Sequence, residues 1–271
     1  MQETDKTRPA IIVANEKGGV GKSTLALTIA DRLTIANHSP AVIQIDRQQR
    51  LSAALGHDVV TIASDPKAAR TDPAKELARF SPVLDAVERA GATTPVIIDI
   101  GAGEVGRFCE WAALVDLEEE LRNFGFWPVA FVPFTAEAEA MRQAHWTVDR
   151  LKTSIPGTEV ILAENRRDGS ISDLHPSSAA WQEWIDHLKP LTRDCALIVM
   201  GAIPGGSWRH FEAAGARFID VVDLDTPTAM QMSGLPRAEA KIARGDVAQW
   251  LVAVFGELDH VLGTMGQGDE A

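Results

Sequence analysis

The chain has 271 residues, 45% of them apolar, and carries 26 Lys and Arg against 38 Asp and Glu, a net charge of −12. That composition excludes the disordered and fibrous classes, and the acidic balance excludes a protein that coats nucleic acid through its whole surface. No apolar run reaches the roughly 20 residues of a membrane span, and residues 1–9 lack the apolar stretch of a signal peptide, so no membrane insertion and a cytoplasmic location are expected.

In chain order, short β-branched runs alternate with longer amphipathic segments, the pattern of a parallel sheet covered by helices on both faces. Residues 10–14 (AIIVA) read as the first strand. A glycine-rich turn follows, then a helix over about 22–36 with Leu25, Ile29 and Leu33 on one face. Further strands are expected at 41–46, 95–100, 128–133, 159–163 and 196–202, with a short edge strand at 218–222. Helices are expected near 82–90, 105–124, 136–153, 177–188, 226–233 and 237–262. Residues 57–75, rich in Asp, Pro and Lys with weak periodicity, read as a surface insertion. The fold class is α/β, a doubly wound, mostly parallel sheet in one domain over 9–263, between a flexible N-terminus (1–8) and a flexible tail (264–271). Cys109 and Cys195 lack C-x-x-C pairing and read as buried thiols.

The strongest signal is Asn15-Glu16-Lys17-Gly18-Gly19-Val20-Gly21-Lys22-Ser23-Thr24, directly after a strand and opening a helix. Consecutive backbone N–H groups must curl around phosphate oxygens, and side chains at the glycine positions would block that approach. The helix N-terminus adds partial positive charge. Gly18, Gly19, Val20, Gly21, Lys22, Ser23 and Thr24 are the expected cofactor contacts: Lys22 reaches the β- and γ-phosphates, and the Ser23 hydroxyl ligates Mg²⁺. The pattern departs from G-x-x-x-x-G-K-[ST], because Glu16 stands where the first glycine falls and a second lysine, Lys17, lies just inside the turn. In both respects the segment resembles the deviant Walker A box of the ParA/MinD ATPases, with its ParA- and MipZ-type members nearest. The resemblance implies ATP and Mg²⁺ as cofactors, a homodimer formed on ATP binding, and a Lys17 that reaches across the interface to the partner's nucleotide.

Two carboxylates follow at strand ends. Asp46, in Gln44-Ile45-Asp46-Arg47-Gln48-Gln49-Arg50, is placed to orient a water for in-line attack on the γ-phosphate. Relatives show D-x-D at this point, so Gln44 replaces the first Asp, and a plain turn role for Asp46 stays open. Asp99, after Pro95-Val96-Ile97-Ile98, has the Walker B pattern and is expected to hold Mg²⁺ through a water. Gly101 and Gly103 after it suggest a flexible switch loop.

By resemblance, Asn165-Arg166 after a strand reads adenine and the backbone around Pro204 contacts it, although a plain turn explains either segment almost as well. The helical stripe through Trp250, Leu251, Val254, Leu258 and Leu262 has acidic polar positions and reads as a docked core helix, not a membrane anchor. Trp181 and Trp184 read as a core or subunit contact. The implied function is a slow ATPase switch in plasmid or chromosome partition or intracellular positioning, with a protein partner that stimulates hydrolysis. The alternatives are an accessory ATPase of conjugative transfer and a metal-cluster carrier similar to nitrogenase iron protein, against which the unpaired cysteines speak. A ligase similar to dethiobiotin synthetase would lack the Lys17-Gly18-Gly19 element. Non-specific DNA binding would need a patch from Arg142, Arg150, Arg166, Arg167, Arg209 and Arg217, doubled in a dimer.

Overall fold

The computed structural model describes residues 8–46, 50–56, 59–64, 72–91 and 94–262. The sheet has seven strands, β1 (Pro9–Ala14), β2 (Ala41–Ile45), β3 (Val60–Thr61), β4 (Val96–Ile100), β5 (Trp127–Phe134), β6 (Glu159–Asn165) and β7 (Ala196–Met200). They pair in the order β3-β2-β4-β1-β5-β6-β7, and every pairing is parallel.

Strand periodicity explains the layering. Along β1, Ile11 and Val13 face a core shared with helix α1 (Lys22–Ile35) and the helix Arg237–Leu262. Ala10, Ile12 and Ala14 face the opposite core, against the helices Pro82–Ala90, Val105–Leu114 and Ala138–Ser154. A strand buried on both faces needs an unbroken apolar run, which is what residues 10–14 supply. The register sets Asp99 of β4 between Val13 of β1 and Gln44 of β2. The C-terminal ends of β1, β2 and β4 therefore open on the same side, where open α/β sheets bind ligands.

Three expectations change. Residues 218–222 are not an edge strand but lie in a helix, Phe218–Asp223, with Phe218 and Val221 buried at a spacing of three. The expected helix over 105–124 breaks into Val105–Leu114 and Leu117–Asn123, parted at Asp116 with φ +49°. Residues 57–75 are not merely an insertion, since Val60 and Thr61 add an edge strand against Ile43 and Gln44. Two residues are too few for an alternating pattern to register. The opposite edge, β7, is covered in part by the last helix, whose Glu257 accepts from the Val199 N–H at 2.9 Å. That helix is docked as expected, with Val247, Val254 and Leu258 wholly buried. Both cysteines are buried thiols, and Trp184 stacks on Phe134.

Candidate nucleotide-binding site

The turn between β1 and α1 is fixed at both ends. Asn15, fully buried, accepts from the Lys17 N–H at 2.8 Å and donates to the Pro133 carbonyl at 2.8 Å, so the exit from β1 is tied to β5. Gly21 takes φ +96° and caps α1 without any side-chain hydrogen bond. The first N–H groups of the helix therefore face the turn without a side-chain acceptor, the arrangement that binds anions. A Cβ at Gly21 would also collide with Asn165 Nδ2. Asn165 donates to the Val20 carbonyl at 3.0 Å and Arg167 to the Gly19 carbonyl at 2.9 Å, so the end of β6 braces the glycine turn. Glu16 turns away toward the helix Val105–Leu114. Burial raises its carboxyl above the usual range, against a hydrogen bond from the Val105 backbone and the charge of Lys22.

Inside the turn, Lys22 is 7% exposed and donates from Nζ to the Lys17 carbonyl at 2.7 Å. Burial lowers its pKa, while the charges of Asp99, Asp46 and Glu16 oppose the shift. The Ser23 hydroxyl donates to Asp99 Oδ2 at 2.8 Å. Asp99 is 1% exposed, and burial pushes its carboxyl up to about 6 despite the Ser23 hydrogen bond and the Lys22 charge. Its other oxygen, Oδ1, is buried with no hydrogen-bond partner among the described residues. An orphaned carboxylate oxygen beside a serine hydroxyl is a set of hard oxygen donors that fits Mg²⁺.

Asp46 joins this group from β2, where Gly101 packs directly on it. A Cβ at position 101 would stand 2.8 Å from Asp46 Cγ and 2.7 Å from the Ile45 carbonyl. Gly101 thus admits Asp46, a closer constraint than the loop flexibility expected of it. Gln44 is fully buried, and its carboxamide oxygen accepts from the Leu51 and Ser52 N–H groups at the start of helix α2 (Arg50–Leu55). Gln48 and Gln49 lie outside the described residues.

One cleft of about 810 Å³ opens here, lined by Gly18, Gly19, Gly21, Lys22, Ser23, Thr24, Asp46 and Asn165 among the expected residues, while Asp99 is buried outside the lining and joined to it through the Ser23 hydroxyl. Val20 is buried beneath it. Lys17, half-buried, is not in its lining, and its charge is felt at Glu139 on the helix Ala138–Ser154. Arg166 and Pro204 are also outside the lining: Arg166 pairs with buried Glu164 at 2.9 Å, and the neighbouring Arg167, Ile203 and Gly206 line the cleft in their place. Arg50, Trp208, Arg209 and Trp250 complete a wall that sequence reasoning does not assign to this site. They come from far apart along the chain, and only the doubling of arginine after Asn165 carries a local signal. The expected basic patch is largely committed elsewhere. Arg142 pairs with Glu139 and Glu183, Arg167 with Asp168, and Arg217 with buried Asp31. Among the described residues no helix is long and apolar enough to cross a membrane.

A search of curated proteins finds no match. Among solved structures, the chain is similar to the MinC:MinD cell division protein complex of Aquifex aeolicus, at 17% identity over 90% of this chain and 95% of that one, with a TM-score of 0.44. It is similar to the MinD cell division protein of Aquifex aeolicus at 17% identity, over 90% and 96%, with a TM-score of 0.44. It is also similar to a substituted form of Cyanothece McdA in complex with ATP, at 13% identity over 92% and 98%, with a TM-score of 0.48. A family model described as CbiA, the CobQ/CobB/MinD/ParA nucleotide binding domain, matches residues 11–164, the stretch that carries the glycine turn, Asp46 and Asp99. The chain therefore belongs to the CobQ/CobB/MinD/ParA nucleotide-binding domain family.

Proposed function

We propose that the chain is an ATP-dependent dimerising switch that hydrolyses ATP slowly and acts through a protein partner in the cytoplasm. The observation that carries this reading is the convergence of Lys22, Ser23 and Asp99, with the unpartnered Asp99 Oδ1, at the mouth of an uncapped helix. In this reading the backbone of residues 18–24 and the Lys22 ammonium bind the phosphates, and Ser23 and Asp99 hold Mg²⁺. The ion would neutralise phosphate charge. Asp46 orients the attacking water from the end of β2.

Lys17 supports the dimer part of the proposal, since its ammonium stays out of its own cleft while its neighbours line it. Asn165 keeps one amide hydrogen free of its hydrogen bond to Val20, and with it the side chain can meet the base while still bracing the glycine turn. The output would be positioning or partition of a cellular cargo. Four of the six arginines named for a DNA patch are held by carboxylates, which favours a protein partner over direct DNA contact. An accessory role in conjugative transfer is one form of that partner-driven reading.

The test is light scattering of the wild type with ATP, ADP or neither. A dimer with ATP alone is expected, and it should persist in Asp46→Ala, which retains the phosphate contacts but cannot orient water. A monomer under all three conditions would overturn the switch reading. Titration of the trapped Asp46→Ala dimer with duplex DNA at low and moderate salt should show no binding. Salt-sensitive binding would return the DNA patch to the mechanism.

A further inference from the structure

Beside the nucleotide cleft lies a second cavity of about 370 Å³. The two share one wall, made of Ser23, Thr24, Arg50, Trp208, Arg209 and Glu212. Two arginines reach that wall from opposite ends of the chain, each seated by its own device. Arg50 opens α2, whose first turn is fastened to the sheet by the buried Gln44 carboxamide through the Leu51 and Ser52 N–H groups. Its charge is felt at Asp99, where it favours the anion. Arg209 folds back over Gly206, which takes φ +67° and where an added Cβ would stand 3.5 Å from Arg209 Cδ. Among the described residues neither guanidinium forms an ion pair, although Glu212 lines the same wall. Two guanidiniums that face one cleft without an ion-pair partner among the described residues have donors left for an anion from outside.

We infer that Arg50 and Arg209 bind the phosphates of the nucleotide within the same chain, as a second cationic contact beside Lys22. The inference rests on the nucleotide-site reading above. A guanidinium offers a planar fork of donors that matches phosphate oxygens, where a lysine supplies a point charge. An anion held by both would also link α2 to the helix Trp208–Glu212 across the mouth of the second cavity. Gln44 then has a role that an aspartate there would lack the reach to copy, since the amide seats the turn that carries Arg50 without adding a third carboxylate beside Asp46 and Asp99.

The experiment is competition binding of ATP, ADP and adenosine to the wild type, Arg50→Ala, Arg209→Ala and Arg209→Lys. Both side chains are exposed, so the variants should melt like the wild type without nucleotide. Each alanine variant is expected to weaken ATP and ADP about tenfold and leave adenosine unchanged, with Arg209→Lys intermediate. Wild-type affinities for ATP and ADP in both alanine variants would overturn the inference, as would an equal loss for adenosine. A wild type that binds no ATP would instead overturn the nucleotide reading from which it starts.

Discussion

The glycine turn and the segment that follows Asp99 both border the cleft, yet they are held in place by different physics. The turn is positioned chiefly by neutral amides, Asn15 bonded to the Lys17 N–H and the Pro133 carbonyl and Asn165 to the Val20 carbonyl. The exit of the Asp99 loop is positioned by charge. Glu104, one residue past Gly103, pairs with Arg79, which pairs with Glu76 at 2.8 Å, which in turn pairs with Arg107 at 2.9 Å. Arg79, Glu76 and Glu104 are largely buried, and Arg79 also lies over the Phe80 ring at 4.1 Å. Both regions are braced by partners far along the chain, Pro133 and Asn165 for the turn and Glu76 and Arg79 for the loop, but only the turn carries its signature in adjacent residues. On the proposed reading the turn binds nucleotide and the charged network anchors the loop, so substitutions should separate the two.

Lys22→Ala carries the largest expected effect on the first region. Without the ammonium the cradle has no formal charge to offset the β/γ-phosphates, and ATP affinity should fall about 100-fold or more, while the fold loses no more than about 1 kcal/mol. Binding of a fluorescent ATP analogue and a melting curve check both halves, and undiminished binding would sink the assignment. Arg79→Ala should do the reverse. It leaves Glu76 and Glu104 buried with fewer partners, a loss of about 3 kcal/mol in denaturant unfolding, with ATP affinity changed by less than about threefold. A wild-type unfolding midpoint would show that the network merely decorates the surface.

Asp99→Asn sharpens the contrast from a third direction. The folded Asp99 carboxyl titrates at about 6, above its ordinary value of 3.8. The fold thus favours the protonated form, and the stability that this group contributes is full below 3.8 and lost as pH rises through 6. Asparagine imitates the protonated form at every pH. The nucleotide-free variant should exceed the wild type by about 3 kcal/mol at pH 8 and match it near pH 4. Equal stabilities at pH 8 would mean that the carboxylate bears no desolvation penalty. Asp31, pushed up to about 6 chiefly by burial and held down by Arg217, should give both proteins a shared decline over the same window. The smallest effect on the isolated subunit belongs to Lys17→Ala. Nucleotide affinity should stay within about twofold and stability within about 0.5 kcal/mol, but the ATP-dependent dimer should be missing from light scattering. A normal dimer would remove the cross-subunit role.

Legibility in the sequence follows the same division. The central strands are readable because burial on both faces demands unbroken runs such as AIIVA and the VII before Asp99, and the glycine turn because its requirements fall on adjacent residues. Asp46 and Asp99 are readable from their places at strand ends. The run Phe218–Val222 misleads because apolar, β-branched composition does not distinguish a strand from a short helix when Phe218 and Val221 are buried and Ile219 and Val222 pack part-buried against the same core. The fully buried Asp31 accepts the Ile219 N–H at 3.3 Å, a tie from α1 that no local pattern announces. Arg50, Arg209 and Trp250 escape for the same reason: they meet only because α2, the Gly205–Gly206 turn and the last helix converge. Sequence order singles out Arg166, whereas Arg167 lines the cleft, because the end of β6 turns Arg166 toward Glu164.

The carboxylate that Glu257 sets on the Val199 N–H has a consequence for how copies of this protein keep apart. β7 is the exposed margin of a parallel sheet, and an open row of backbone donors invites a strand from another molecule to continue it. Glu257 occupies one of those donors with a negative charge carried on a 26-residue helix that is anchored in the core. An incoming strand would have to displace that carboxylate and leave it desolvated against a new neighbour. The chain thus discourages fibre-like stacking at this margin, where a second copy would have to displace a carboxylate before it could share a backbone ladder.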